Sequence, residues 1–303
     1  MNPEEGAFFD LSARTKLRIR GQDRQRYLNG QITNDLGKVT SSRGMQACVL
    51  NAKGKMDADV FVSEDGHGFF IDAEPDLRAS LQPRLERYVI ADDVECEDVT
   101  AQLSIFHVIG AASLDLACEC RLINIDRFGV EAREIWGTAA QHDELFEAIA
   151  ATVPFYDREE AETFRIEQGI PRWGRDLSPE ILPPEANLES RCIDYEKGCY
   201  IGQEVISRMK MSGQRAKKLV GFAGDVPMEA GMKLFQIGGE GKEVGWITSA
   251  TRSKRFGKEI GLGYIKRPFF PNKFKLDGRD PNDVTRPTVR VEIVDLPFTR
   301  GNL

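Results

Sequence analysis

Apolar and polar residues alternate in short stretches along the first half of the chain, and this period of two is typical of β-strands. The stretch Thr15–Arg20, for example, has apolar residues at every second position. Residues 45–50 and 56–63 flank a glycine-containing turn and predict a β-hairpin. A helix is predicted after the capping residue Asp23, with Tyr27 and Leu28 facing inward, and another from Pro75, which precedes leucines spaced four apart.

The pattern changes beyond Gly213, where short apolar stretches alternate with glycine-containing turns and no helix is predicted. Five strands are predicted there, at residues 219–223, 232–236, 243–250, 260–265 and 288–294. Strands at this spacing predict a small antiparallel barrel. The predicted fold class is therefore α+β, with a boundary that separates residues 1–212 from a C-terminal β-barrel domain, residues 213–303.

One predicted helix places a carboxylate where a helix disfavours it. An aspartate and a glutamate with the spacing of a capping box, at residues 157–160, predict the start of this helix, and Gly-Ile-Pro at residues 169–171 predicts its end. Glu167 then lies in the last turn, where the helix dipole disfavours an anion. We expect either a ligand with N–H donors or a neighbouring arginine, Arg165 or Arg172, to compensate for the charge.

The motif KGCYIGQE, residues 197–204, follows a segment with four prolines and no periodicity, residues 171–190, which is typical of a binding loop. The glycines around Cys199 predict a tight turn before a helix. A helix N-terminus and the nearby Lys197 both favour the thiolate form, so the motif predicts a reactive cysteine. The alternative is a buried structural cysteine, since free cysteine is among the most buried residue types.

The second strand of the predicted hairpin carries acidic side chains on one face. Asp57, Asp59 and Phe61 share this face, and Met56, Ala58, Val60 and Val62 share the other. Two carboxylates beside an aromatic ring can bind a polar ligand or provide an acid with a raised pKa. The alternative is the solvent-exposed face of a sheet.

Composition narrows the class of protein. The chain has 303 residues, 41% hydrophobic and 29% charged, as is typical of a water-soluble globular protein. No apolar stretch is long enough to span a bilayer, and residues 1–5 are acidic where a signal peptide would be basic. The six scattered cysteines predict no disulfide framework. We therefore expect a cytoplasmic protein that does not associate with membranes.

The net charge of −7 is unevenly distributed. Residues 205–303 contain 19 Lys and Arg against 10 Asp and Glu, whereas the preceding residues contain 22 against 38. The basic part can attract an anionic partner or dock on the acidic part. The basic stretch 252–258 contains a single aromatic residue, Phe256, so a solvated face is the expected interpretation and direct nucleic-acid binding is not.

Several kinds of active site are absent from the sequence. It contains no Walker A loop, no complete dinucleotide-binding fingerprint and no serine-hydrolase elbow. Cys118 and Cys120 are two positions apart and Cys192 and Cys199 seven, which matches no standard zinc or iron–sulfur spacing. The sequence alone therefore predicts no metal site.

The motif at residues 197–204 agrees at every position with a signature of the YgfZ family of folate-binding proteins. Further agreement lies at residues 27–35, 52–56 and 165–171, and in the predicted barrel at residues 245–249 and 260–265. The chain thus resembles the YgfZ family, whose relatives include the T-protein, the aminomethyltransferase of the glycine cleavage system. The resemblance covers nearly the whole chain.

This resemblance implies a GcvT-like ring of domains around a tetrahydrofolate pocket, with two intertwined α+β subdomains in residues 1–212, the central one at roughly residues 45–140. It places Glu167 on the glutamate that binds the pterin ring. It also places Ala58 and Asp59 on a pair of acidic residues of the T-protein, so only the second acid remains. The implied site comprises Cys199 and Asp59 as reactive residues and Glu167, Asp59, Lys197, Tyr200, Asn29 and Thr33 as folate-binding residues.

The resemblance implies a tetrahydrofolate-binding accessory protein, expected to be a monomer, that supports assembly or repair of [4Fe–4S] clusters. Its partners would be iron–sulfur client or assembly proteins, including radical enzymes that thiolate tRNA. The alternative is a folate-dependent aminomethyl or methyl transferase that uses Asp59, although the missing acid at Ala58 disfavours a glycine-cleavage T-protein. A third hypothesis is a tRNA-binding module that uses the basic barrel.

Overall fold

The computed structural model describes residues 6–110, 116, 118–237, 242–270, 275–281 and 288–303. The chain forms two compact units, and each combines two separate stretches of sequence. The sheet unit comprises Asn2–Arg158 and Leu188–Arg208, and the barrel unit comprises Glu159–Asn187 and Met209–Leu303. Residues 1–5 lie outside the described residues. Their acidic composition was part of the basis for predicting a cytoplasmic protein.

The sheet unit contains two antiparallel sheets. Its strands are β1 (Ala7–Asp10), β2 (Thr15–Arg20), β3 (Met45–Leu50), β4 (Met56–Glu64), β5 (Phe69–Ala73), β6 (Glu95–Asp98), β7 (Leu103–Ile109), β8 (Arg121–Asn124) and β9 (Ala132–Thr138). One sheet has the strand order β3-β4-β5-β2-β6 and the other has the order β1-β7-β9-β8. The predicted hairpin is confirmed, because β3 and β4 pair with each other in antiparallel orientation.

The described part of the chain contains six α-helices. They are α1 (Arg24–Gln31), α2 (Arg78–Glu86), α3 (His142–Ala150), α4 (Arg158–Glu167), the single turn α5 (Glu189–Cys192) and α6 (Gln203–Ser212). Helix α3 buries Leu145 and Ile149 in a core with Phe106 of β7 and Ile135 of β9. The helices among these residues are all too short or too polar to cross a membrane.

The barrel unit contains the predicted barrel, closed by six antiparallel strands. They are β10 (Lys217–Gly224), β11 (Lys233–Gln236), β12 (Glu243–Ser253), β13 (Lys258–Lys266), β14 (Lys275–Arg279) and β15 (Val289–Val294). Their order is β10-β13-β12-β11-β14-β15, and β15 pairs with β10 to close the barrel. Apolar side chains such as Phe222, Leu234 and Ile247 fill its interior.

Strand β14 has no counterpart in the sequence prediction. Its sequence, Lys-Leu-Asp-Gly-Arg, has one large apolar residue, Leu276, and an interior glycine, Gly278, which is unfavourable in a strand. The strand forms because β11 and β15 supply hydrogen-bonding partners on both sides. Pairing between distant segments overrides local propensity here.

Replacing Gly263 with alanine is expected to destabilise the barrel by about 1–3 kcal/mol. Gly263 lies where β12 and β13 approach closely, and a Cβ atom there would lie 2.1 Å from the main-chain oxygen of Trp246. Urea unfolding measures the change. The control is Gly30→Ala in α1, where an added Cβ meets no atom within 4 Å. Equal stability of Gly263→Ala and the wild type would contradict the expected clash.

Candidate functional site

The motif at residues 197–204 forms the turn that leads into α6. Gly202 has a positive φ of 85°, and a Cβ atom at this position would lie 2.6 Å from the main-chain oxygen of Asn51. Asn51 begins the turn between β3 and β4, so the motif packs directly on the tip of this hairpin. Glycine is required at position 202 both for the backbone angle and for this close approach.

Lys197 is buried, and its ammonium group points into the sheet unit. Nζ donates hydrogen bonds to the main-chain oxygens of Asn29, Ile32 and Asn34, at 2.7, 2.8 and 2.7 Å. Burial lowers the pKa of Lys197 to about 8. Three carbonyl oxygens match the three N–H donors of an ammonium group, so the geometry gives Lys197 a structural role. Its predicted folate contact stays a prediction.

Consecutive residues of the motif point in opposite directions. Cys199 is exposed, so the alternative of a buried structural cysteine is wrong. Tyr200 is 7% exposed, and its ring lies 5.4 Å from Nζ of Lys197. Burial, and then the charge of Cys48, raise the pKa of Tyr200 to about 12. The Tyr200 hydroxyl has no hydrogen-bond partner in the part of the chain that the structure describes.

Asn29 and Thr33 support the same region from the end of α1. The Asn29 side chain accepts a hydrogen bond from the main-chain N–H of Leu36 at 2.9 Å. The Thr33 hydroxyl donates to the main-chain oxygen of Cys192 at 2.5 Å and accepts from the main-chain N–H of Cys48 at 2.9 Å. Both residues thus join segments within the sheet unit, and their predicted contact with folate is not tested by this geometry.

Asp59 lies in the middle of β4 and is 8% exposed, so the alternative of a solvent-exposed sheet face is wrong. Its Oδ1 accepts a hydrogen bond from Nε2 of Gln46 at 2.8 Å, and Oε1 of Gln46 accepts from Arg191 at 3.1 Å. Burial raises the pKa of Asp59 to about 6. Asp59 is therefore an acid that can exchange a proton near neutral pH.

A polar cavity of about 650 Å³ lies within the sheet unit, beside Gln46. Its charged lining comprises Lys38, Arg43, Arg191, Asp126 and Glu131. Gln46 both lines this cavity and contacts Asp59, so it forms the wall between them. No sequence signal pointed to this cavity, because its lining residues come from distant segments. In the β3–β4 register Gln46 lies opposite Phe61, so Gln46 is the diagonal neighbour of Asp59.

In the barrel unit, α4 ends at Glu167, two residues before the predicted end at Gly169, and Glu167 lies in its last turn as predicted. The Glu167 side chain is 1% exposed, and its Oε1 accepts a hydrogen bond from the hydroxyl of Ser253 at 2.5 Å. Its Oε2 is buried and has no hydrogen-bond partner among the described residues. No sequence signal pointed to Ser253, because it lies 86 positions away at the end of β12.

The two arginines that were expected to compensate for the charge of Glu167 have other partners. Arg172 lies 2.8 Å from Glu162. Arg165 contacts Glu162 and lies 2.7 Å from Oδ2 of Asp176, whose Oδ1 accepts from Ser249 at 2.8 Å. These buried bonds join α4 and the proline-rich segment to β12. Glu167 thus lies beside a buried network that joins α4 to β12, and its second oxygen has no hydrogen-bond partner among the described residues.

The predicted basic stretch of the barrel is largely paired within its own unit. Arg252 lies 2.9 Å from Glu259, and Lys258 lies 3.3 Å from Asp225. Arg255 lies over the ring of Phe256. These contacts favour the interpretation of this stretch as a solvated face.

Comparison with known proteins gives matches to both units. Residues 3–131 match the model of the GCVT N-terminal domain, and residues 217–299 match the glycine cleavage T-protein C-terminal barrel domain. The fold is similar to the crystal structure of the glycine cleavage system aminomethyltransferase T from Bartonella henselae. The match spans 98% of this chain and 87% of the Bartonella chain. The TM-score is 0.82 at 15% identity, which shows a shared fold.

Three curated proteins show the range of named relatives. The aminomethyltransferase of Thermoanaerobacter is 22% identical over 85% of this chain and 77% of its own length. The human mitochondrial iron-sulfur cluster assembly factor IBA57 is 31% identical over 70% of this chain, and this chain covers only 65% of that protein. The tRNA-modifying protein YgfZ of Escherichia fergusonii is 28% identical over 77% of this chain and 78% of its own length.

The two family models, the common fold and the closed six-stranded barrel agree with one another. The predicted α+β fold with a C-terminal antiparallel barrel is confirmed. The chain belongs to the superfamily of the glycine cleavage T-protein.

Proposed function

We propose that this protein binds tetrahydrofolate and supports the assembly or repair of [4Fe–4S] clusters in client enzymes, including enzymes that thiolate tRNA. The observation that carries the folate part is the buried carboxylate of Glu167, one oxygen of which has no hydrogen-bond partner among the residues that the structure describes. The similarity to an iron-sulfur cluster assembly factor and to a tRNA-modifying protein supports the second part.

Glu167 fits a ligand that carries adjacent N–H donors. An unpartnered buried polar group costs about 1–3 kcal/mol, and more if it is charged, so Oε2 favours a donor that restores its hydrogen bond. The pterin ring of folate has neighbouring amide and amine N–H groups, and a carboxylate accepts such a pair well. Bound folate would supply a one-carbon carrier, and Glu167 would orient its ring.

Cys199 fits a role at an iron–sulfur partner. The thiol is exposed, and the turn that carries it is fixed by buried Lys197 and by Gly202 against the β-hairpin. Thiolates are the usual ligands of iron–sulfur clusters. An exposed thiol on a rigid turn can therefore contact a cluster that a partner protein holds.

Glu167→Gln is expected to weaken the binding of tetrahydrofolate by about tenfold or more, or about 1.4 kcal/mol, because an amide accepts N–H donors less strongly than a carboxylate. Isothermal titration calorimetry measures the change. Glu185→Gln is the matched control, since Glu185 is also buried in the barrel unit but accepts a main-chain N–H of Leu182. No binding by the wild type, or equal binding by Glu167→Gln, would contradict the folate proposal.

Cys199→Ser is expected to remove the activity of a [4Fe–4S] tRNA-thiolating enzyme in cells that depend on this protein, because serine is a poor iron ligand. The assay measures thiolated tRNA after replacement of the native gene. Cys96→Ser is the control, as Cys96 is a partly buried cysteine of the same unit. Full rescue by Cys199→Ser would rule out a role for this thiol.

The second candidate function is a folate-dependent aminomethyl or methyl transfer. The observation that favours it is the buried Asp59, whose pKa burial raises to about 6, within the range of a general acid or base. A turnover assay with an aminomethyl donor and tetrahydrofolate tests it. Asp59→Asn should abolish product in this case, whereas the accessory function predicts no turnover by the wild type.

A further inference from the structure

Three side chains with metal-binding atoms meet in the interior of the sheet unit, apart from the exposed Cys199. They are Cys48, Asp59 and Cys192, and their sulfur and carboxylate atoms all lie within 4.8 Å of one another. The two cysteines are 0% exposed, and Asp59 is 8% exposed. The spacing of the cysteines in the sequence predicted no metal site, whereas the fold brings Cys192 next to Cys48 and Asp59.

The main chain holds the three residues in place. Cys48 on β3 lies directly opposite Asp59 on β4 in the strand register. Cys192 ends the turn α5, where its N–H donates to the main-chain oxygen of Leu188 at 2.8 Å. The hydroxyl of Thr33 bonds to the main chain of both cysteines, so one side chain sets their separation. This support makes a preorganised set of ligands.

The types of ligand favour a borderline-soft divalent ion. Cysteine sulfur and aspartate oxygen bind Zn²⁺ at about 2.3 Å and about 2.0–2.2 Å, so ligand atoms around one ion lie about 3–4 Å apart. Separations within 4.8 Å therefore require only small side-chain movements. A carboxylate beside two thiolates also fits Zn²⁺ or a similar ion better than Mg²⁺ or Ca²⁺, which require oxygen ligands.

The sheet unit also contains an unpartnered polar group. The hydroxyl of Tyr200 is buried and lacks a hydrogen-bond partner among the residues described. Asp59 accepts a hydrogen bond from Gln46 at 2.8 Å. Two cysteines that only packed in the core would supply no positive charge to the buried carboxylate of Asp59, whereas a bound cation would supply one.

Access and charge are compatible with an ion. Gln46 separates Asp59 from the polar cavity of about 650 Å³, so a rotation of this side chain would open a path. Two thiolates, one carboxylate and a divalent ion leave a net charge of −1. Arg191, which bonds to Gln46, and Arg14 both act on Asp59 as positive charges and offset this remainder.

We infer that Cys48, Asp59 and Cys192 bind one borderline-soft divalent transition-metal ion, with Zn²⁺ as the reference ion. This site is independent of the proposed folate contact at Glu167 and of the thiol at Cys199. The tests of those two residues therefore succeed or fail separately from the test of the metal site.

The experiment uses the full chain, reduced and stripped of metal with a chelator, and then supplied with Zn²⁺. After gel filtration, elemental analysis is expected to find one equivalent of zinc in the wild type. Cys48→Ala and Cys192→Ala are each expected to lose it, and Asp59→Asn to bind at least about tenfold more weakly. Cys199→Ala and Cys96→Ala are the controls and should retain one equivalent. Co²⁺ should give a thiolate charge-transfer band in the same variants that retain zinc.

Alkylation of the wild type provides a measurement that does not depend on folding of the variants. Zn²⁺ is expected to slow labelling of Cys48 and Cys192 by at least about tenfold while Cys199 reacts at an unchanged rate, as followed by mass spectrometry of the peptides. Failure of the wild type to retain zinc, zinc retention by both Cys48→Ala and Cys192→Ala, or protection of Cys199 alone would overturn the inference. A disulfide between Cys48 and Cys192 in protein purified under reducing conditions would overturn it as well.

Discussion

Lys197→Met is expected to lower the free energy of unfolding by about 3–5 kcal/mol, because three buried main-chain oxygens would lose a charged donor. Nζ of Lys197 donates to the oxygens of Asn29, Ile32 and Asn34 at 2.7–2.8 Å. Methionine has a similar volume but no donor. The end of α1 and the loop after it would then have to open to water or remain without hydrogen bonds.

Urea unfolding, followed by circular dichroism, measures this loss. Lys38→Met is the matched control, since Lys38 lies in the same region but is 50% exposed and pairs with Asp194 at the surface. Its removal should change the stability by no more than about 1 kcal/mol. A Lys197→Met protein as stable as the control would show that the buried ammonium group is not a structural element.

Asp59→Asn is expected to stabilise the metal-free protein at pH 8 by on the order of 2–3 kcal/mol, and this gain should vanish below about pH 4. Burial raises the pKa of Asp59 from 3.8 to about 6, so between these values the folded state binds more protons than the unfolded state. The wild type therefore loses stability as the pH rises from about 4 to about 6. Asparagine carries no charge at any pH and is not subject to this loss.

The measurement is the difference in unfolding free energy between Asp59→Asn and the wild type from pH 4 to pH 8, with a chelator present. The groups that act on Asp59 are Gln46, Arg14, Glu74 and Arg191. Asp57→Asn is the control on the same strand: Asp57 is partly exposed and pairs with Arg84, so its loss should destabilise slightly. A difference for Asp59→Asn that does not depend on pH would refute the raised pKa.

Local sequence patterns were most informative where a feature depends on neighbouring residues. The hairpin of β3 and β4 followed from periodicity and a glycine-containing turn, and the position of Glu167 in the last turn of α4 followed from the glycine and proline after it. The turn at Cys199 followed from its flanking glycines. These features are decided by backbone preferences within a few residues, and the sequence displays such preferences directly.

Local sequence patterns did not predict which individual side chains are buried. The alternation on β4 did not show whether the face with Asp59 is wet or dry, because that depends on what packs against the sheet. Lys197 was predicted to act on its neighbour Cys199, but its side chain turns toward main-chain oxygens more than 160 positions away. Strand β14 was missed because its pairing partners, not its own residues, stabilise it.

The sequence by itself determined the α+β class, the barrel at the C-terminal end and the motif that presents Cys199, because each depends on local periodicity or on a contiguous motif. Only the tertiary structure decided that one carboxylate oxygen of Glu167 has no partner in the described part of the chain, and that Cys48, Asp59 and Cys192 meet in one buried cluster. The physical reason is that burial and hydrogen-bond partners arise from segments far apart in the chain, whereas propensity and periodicity act over a few residues.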